Sequence, residues 1–86
     1  MRPDELTELL RRQPFTAFRM HLTTGQTYEI RHPELLWVHR QSADIAMDPD
    51  PKTGVIDRTE RVSLLHIVRI EVVEPASQSS KGNGQG

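Results

Sequence analysis

The sequence predicts a mainly β domain: one N-terminal α-helix, then five short antiparallel strands bent strongly enough to close into a small barrel. Three observations carry this. Apolar residues first recur at helical spacing, as Leu6, Leu9 and Leu10. From Phe18 onward the period becomes two. Turn-forming residues then punctuate the chain at Gly25, Pro33, Asp48-Pro49-Asp50-Pro51 and Gly54. Strands this short and this bent tend to close on themselves, which removes exposed edges.

The helix comes first. Pro3 suits its opening position, where the missing N–H costs nothing. Asp4 and Glu5 meet the positive end of the helix dipole, and Arg11 and Arg12 the negative end. Pro14 stops it. At about ten residues it is too short to stand alone in water, so its leucine stripe must dock on something.

A hairpin follows. Phe18, Met20 and Leu22 alternate with Arg19, His21 and Thr23; beyond Gly25, Tyr28 and Ile30 alternate with Thr27, Glu29 and Arg31. A three-residue loop, Thr23-Thr24-Gly25, with Gly25 left-handed sets Phe18 against Ile30, Met20 against Tyr28 and Leu22 against Gln26. It also sets Arg19 against Glu29. Moving the loop one residue on would set Arg19 against Arg31, like charges in contact.

His32-Pro33-Glu34 makes a turn or strand edge, because proline has no ladder donor. The third strand reads in two pieces. Leu36 and Val38 share a face opposite Trp37 and His39; Ala43, Ile45 and Met47 then alternate with Ser42, Asp44 and Ala46. The change of parity predicts a bulge or bend near Arg40-Gln41. Residues 48–54 are a loop. Val55 to Arg61 is ambiguous, and the conformation of residues 48–61 is left open; strict alternation from Ile56 would bury Arg58 and Glu60, which favours a long mobile loop ending near Arg58. Leu64-Leu65-His66 makes a single tight turn. Ile67 to Val73 is the last strand, with Val68, Ile70 and Val72 on one face and Arg69 and Glu71 on the other.

The chain has 86 residues, enough for one domain. Residues 1–74 form it. Residues 75–86 have almost no apolar content and read as a disordered tail. A core of this size supplies only ~3–5 kcal/mol. There is no cysteine to staple it, so oligomerisation competes with a marginal monomer. Net charge is -1, with 11 basic and 12 acidic residues, which argues against generic nucleic-acid binding but leaves room for a local patch. No apolar run is long enough to span a membrane, and a cytoplasmic location is expected.

The four histidines, His21, His32, His39 and His66, show no helical metal spacing, so no metal or cofactor is expected. Ser63 lies three residues before His66, but no nucleophile-elbow pattern surrounds it. Asp48 and Asp50 read as solubilising turn residues. The chain is not expected to be an enzyme. Trp37 is the candidate anchor for a partner or a stacked base; the plainer reading is that the leucine stripe of the helix covers it. Arg11 and Arg12, with Arg19 near, can make a basic rim, or simply complement the helix dipole. Nine of the 11 basic residues are arginine, which suits planar recognition of phosphate or carboxylate.

The order of parts resembles the Sm-like small barrels, and within them the Hfq-like RNA chaperones. The resemblance runs from Leu6 to Val73, through Leu9-Leu10-Arg11-Arg12, the Leu22-Thr23-Thr24-Gly25-Gln26-Thr27-Tyr28 hairpin and the closing Leu65-His66-Ile67-Val68-Arg69-Ile70. It implies a ring assembled through strand edges and single-stranded RNA as ligand, with Arg11 and Arg12 matching the arginine rim and His66 the late histidine. The family's second glycine is replaced by Ile30-Arg31, and Leu65 stands where it carries a lysine. An SH3-like barrel with a non-RNA partner shares the same plan. The function expected is therefore a non-catalytic small-barrel module that associates with itself or binds a macromolecular partner, with an Sm/Hfq-like RNA-binding ring as the alternative.

Overall fold

Helix α1 spans Pro3–Arg11, and Glu5 secures its start by accepting the backbone N–H of Arg2 at 2.9 Å. The structure, a computed structural model, describes residues 1–73. The predicted tail at 75–86, and the domain boundary at residue 74, lie outside these. The N-terminal ammonium donates to the Leu64 carbonyl at 2.9 Å, tying the start of the helix to a residue 63 positions further along the chain. Leu6 is completely buried, and Leu9 and Leu10 pack against the core. The stripe docks as a helix this short requires.

Strands β1 (Phe18–Leu22) and β2 (Thr27–Ile30) form the hairpin in the register argued from charge: Phe18 faces Ile30, Arg19 faces Glu29 and Met20 faces Tyr28. Gly25 turns the chain with φ of +92°, a conformation that side chains disfavour. Its N–H donates to the Leu22 carbonyl at 2.9 Å, and the Leu22 N–H donates to Gln26 at the same distance. Arg19 Nη2 lies 2.9 Å from Glu29 Oε1, as the register demands.

A single 3₁₀ turn at Pro33–Leu35 leads into β3 (Leu36–Val38) and then β4 (Ser42–Met47). Here the expectation changes. The two pieces of the predicted third strand are two strands folded on each other, with Leu36 opposite Ile45, Trp37 opposite Asp44 and Val38 opposite Ala43. The parity change at Arg40-Gln41 marks a hairpin turn and not a bulge, closed by the His39 N–H on the Ser42 carbonyl at 2.8 Å.

The next loop ends where β5 (Arg58–Ser63) begins, and β5 pairs along the whole of β4. Glu60 does turn inward, and its carboxylate accepts the Tyr28 hydroxyl at 2.7 Å. That partner is why an acid is tolerated there, on the rim between the two sheets. The tight turn at Leu64–His66 is a 3₁₀ turn, capped by Ser63 Oγ on the Leu65 N–H, and β6 (Ile67–Val72) returns beside β1.

The result is six strands in two three-stranded antiparallel sheets, ordered β2-β1-β6 and β3-β4-β5. The expected closed barrel of five strands is not formed among the described residues. No ladder joins β2 to β3 or β5 to β6, because 3₁₀ turns interrupt the chain at both crossings. One apolar cluster fills the space between the sheets, with Phe18, Met20 and Ile30 from one and Leu36, Ile45 and Val62 from the other.

Candidate interaction surfaces

On the sheet β3-β4-β5, alternation turns Leu36, Ala43, Ile45 and Val62 inward, which puts their neighbours Trp37, Asp44 and Arg61 in one cross-strand row outside. Arg61 grips Asp44 with two prongs, Nε to Oδ1 at 2.8 Å and Nη2 to Oδ2 at 3.1 Å. His39 Nε2 reaches the same Oδ2 at 3.0 Å. Trp37 ends the row, 46% exposed. Helix α1 packs against β3, yet its leucines turn to the core and leave this ring in solvent, so the covering expected from the stripe does not occur.

The Arg61 hydrogen bonds, helped by His39, hold the Asp44 carboxyl at about 2, below its ordinary 3.8. Because the folded value is depressed, the stabilisation is present above pH 3.8 and is lost as pH falls toward 2. Replacing Arg61 with alanine should move the Asp44 titration, followed by NMR of the carboxyl carbon, up toward 3.8. An unmoved midpoint would show that Arg61 does not hold this carboxylate.

The other proposed contact residues are spread apart. Arg11 and Arg12 are exposed at the C-terminal end of α1. His66 sits on the last 3₁₀ turn, with Nδ1 at 3.2 Å from Thr23 Oγ1. That turn meets the opposite end of the helix, through the Met1 ammonium on Leu64. A nine-residue helix is roughly 13 Å long. The arginines and the histidine are thus at opposite ends of α1, and Trp37 lies on the outer sheet face.

The outer face of β2-β1-β6 is laced by charge. Arg19 bridges Glu29 at 2.9 Å and Glu71 at 3.1 Å, and His21 Nε2 adds a contact to Glu71 at 2.9 Å. Arg31 pairs with the other Glu29 oxygen. Along β6 and the turn before it, apolar side chains remain in solvent: Leu65 at 84%, Val68 at 60% and Val72 at 45%. Val68 is left outside the ladder by a register shift between His21 and Leu22 on β1. Ile70 faces Met20, Val72 faces Phe18 and Ile67 faces Leu22, so the predicted shared face holds at Ile70 and Val72 but not at Val68, whose place the register shift gives to the buried Ile67.

Nucleophile chemistry finds no support at Ser63. Its Oγ caps the 3₁₀ turn, while His66 binds Thr23, so neither contact joins the two. Asp50 accepts the Lys52 and Thr53 N–H groups at 2.7 and 3.1 Å, which lower its carboxyl pKa, and Asp48 lies near Arg58 at 3.3 Å. Both are turn residues. A cleft of about 650 Å³ opens between β2 and the 48–54 loop, walled by Tyr28, Glu29, Arg31, Met47 and Pro49. Along it Glu29 pairs with Arg31, Asp48 with Arg58, and Asp50 accepts backbone N–H groups of its own loop. Among the described residues no three His, Cys, Asp or Glu side chains group to hold a metal, and no helix is long and apolar enough to cross a membrane.

The cluster Asp44, Arg61 and His39 escaped sequence reading because its partners meet across two hairpins. The one signal was the parity change at Arg40-Gln41, which as a turn folds Trp37 onto Asp44. No protein-family model matches this chain, and no curated protein or solved structure matches it.

Proposed function

We propose that this chain is a non-catalytic small-barrel module, Sm-like or SH3-like in build, that works by associating with itself or with a macromolecular partner. The observation that carries this is the edge of β6, unpaired among the described residues, with Leu65, Val68 and Val72 exposed beside it. A core this small leaves association as a source of further burial. The strand order supports the barrel plan. When β2 and β3 are read as one strand interrupted at Pro33, the succession is β6-β1-β2-β3-β4-β5, that of a single bent sheet.

Light scattering behind size-exclusion chromatography tests the self-association half. A mass above one chain is expected, rising with concentration; a strict monomer at millimolar protein ends it. An Sm/Hfq-like RNA role needs a continuous basic face. The spread of Arg11, Arg12 and His66, and the neutralisation of Arg61 by Asp44, speak for a protein surface instead. Tight, salt-sensitive retention of short single-stranded RNA on filters would reverse that preference.

A further inference from the structure

We propose that the free edge of β6 is a self-pairing surface, on which a second copy of this chain adds its own β6 antiparallel, about a two-fold axis at Ile70. The inference rests on the self-association reading and gives it a surface and a register. It starts from hydrogen-bond parity. The Val73 N–H donates to the Ala17 carbonyl at 2.9 Å, so Val73 faces β1. In an antiparallel ladder the facing alternates, so Glu71 and Arg69, opposite Arg19 and His21, face β1 as well. Ile70 and Val72 therefore aim their N–H and C=O groups at the open edge, and the bulged Val68 lies next to them. A partner strand that sets Ile70 against Ile70 engages both.

The sequence of this strand reads the same in chemical type from either side of Ile70: Val68-Arg69-Ile70-Glu71-Val72. In the proposed register Arg69 meets Glu71 of the second copy, a contact that occurs twice by symmetry, and the bulged Val68 comes to lie beside that copy's Val72. The valines so covered are the ones the single chain leaves 60% and 45% exposed. The neighbouring two-fold registers set Arg69 against Arg69 or Glu71 against Glu71, like charges in contact.

The charges are available for this. Glu71 uses Oε1 for Arg19 and His21, and among the described residues Oε2 has no partner. Arg69 makes only a 3.4 Å contact to His21. The edge of the other sheet is built differently. Strand β5 presents Arg58-Thr59-Glu60-Arg61, a charged run of the kind that discourages edge pairing. Unlike β5, the β6 edge combines exposed apolar side chains with self-complementary charge. The product is one continuous sheet, β2-β1-β6 from one copy running into β6-β1-β2 of the other.

A charge-reversal pair tests the register in the full-length chain. Arg69→Glu leaves acids at both 69 and 71, and Glu71→Arg leaves arginines at both. Each variant alone should dimerise about tenfold more weakly than the parent by analytical ultracentrifugation. Mixed, the two variants should recover association, because every cross-strand pair then has opposite signs. Far-UV circular dichroism confirms that each is folded. A second measurement needs no charge change. The chain has no cysteine, so Ile70→Cys should give a covalent dimer on mild oxidation, the Cα atoms of a hydrogen-bonded pair standing roughly 5.5 Å apart. Thr59→Cys, on β5, should not. If the parent dimerises but neither variant weakens it, mixing gains nothing and Ile70→Cys stays monomeric, the β6 register is wrong and self-association stands on another surface. A parent that is monomeric throughout removes both.

Discussion

Replacing Phe18 with alanine should leave this chain largely unfolded at room temperature. Phe18 is completely buried on the central strand of its sheet, between Ile30 on β2 and Val72 on β6. Its ring also meets that of Phe15, the centroids 6.1 Å apart. Truncating a buried phenylalanine costs about 3–5 kcal/mol, from lost transfer energy and the cavity left behind. A domain this small has about that much stability in total. Urea denaturation followed by circular dichroism should show the parent's cooperative transition and, for the variant, little folded baseline. A variant that unfolds near the parent's midpoint would mean that this end of the core tolerates a hole, and that the packing described around β1 is wrong.

The hairpin was readable because its information is local. Gly25 leaves few loop geometries, and Arg19 chooses among them by meeting Glu29 and not Arg31. The tight turn at Leu64–His66 was readable for the same reason, since Val62 through Leu65 cannot keep one alternating face. At Arg40-Gln41 the break in alternation marks the right residues, but it is a hairpin turn between β3 and β4 and not a bulge. A bulge and a two-strand reversal both change parity, and only the partner strand tells them apart. That partner question also hid the outer-face cluster. Asp44 meets Arg61 across a loop whose ten residues, Asp48 to Asp57, belong to no standard hairpin type that would set a register.

Burial of charge misled in one place and guided in another. Glu60 argued against a regular strand because its alternation turns it inward. The Tyr28 hydroxyl supplies the partner that makes an acid tolerable there, and that contact joins two sheets whose pairing no local pattern sets. On β6, by contrast, alternation set Ile70 and Val72 on one face but could not show the register shift at Val68, or that Val68 and Val72 would stay exposed. Val68 is exposed by the register shift that takes it out of the ladder, and Val72 lies on a strand that, among the described residues, pairs with β1 alone.

Replacing Leu6 with alanine should have the second-largest effect, and it asks whether the helix belongs to the folding unit or merely leans on it. Leu6 is the only completely buried residue of α1. Nine residues do not hold a helix alone in water, so docking must supply what propensity cannot. Leu6→Ala should cost about 2–5 kcal/mol. If α1 folds as one unit with the sheets, the whole urea transition moves to lower denaturant. If it is a satellite, the sheets keep their transition while the amides of residues 7–11 exchange with solvent much faster than in the parent. Two tethers favour the first outcome: the Met1 ammonium on the Leu64 carbonyl, and the contacts of Leu9 and Leu10 with the core. The first of these links the helix start to the turn that launches β6. Loss of α1 should therefore loosen the strand proposed to carry self-association, and amide exchange at Ile67–Val72 in the same sample should rise with that of the helix. Unchanged protection at both elements would show that Leu6 does not anchor α1.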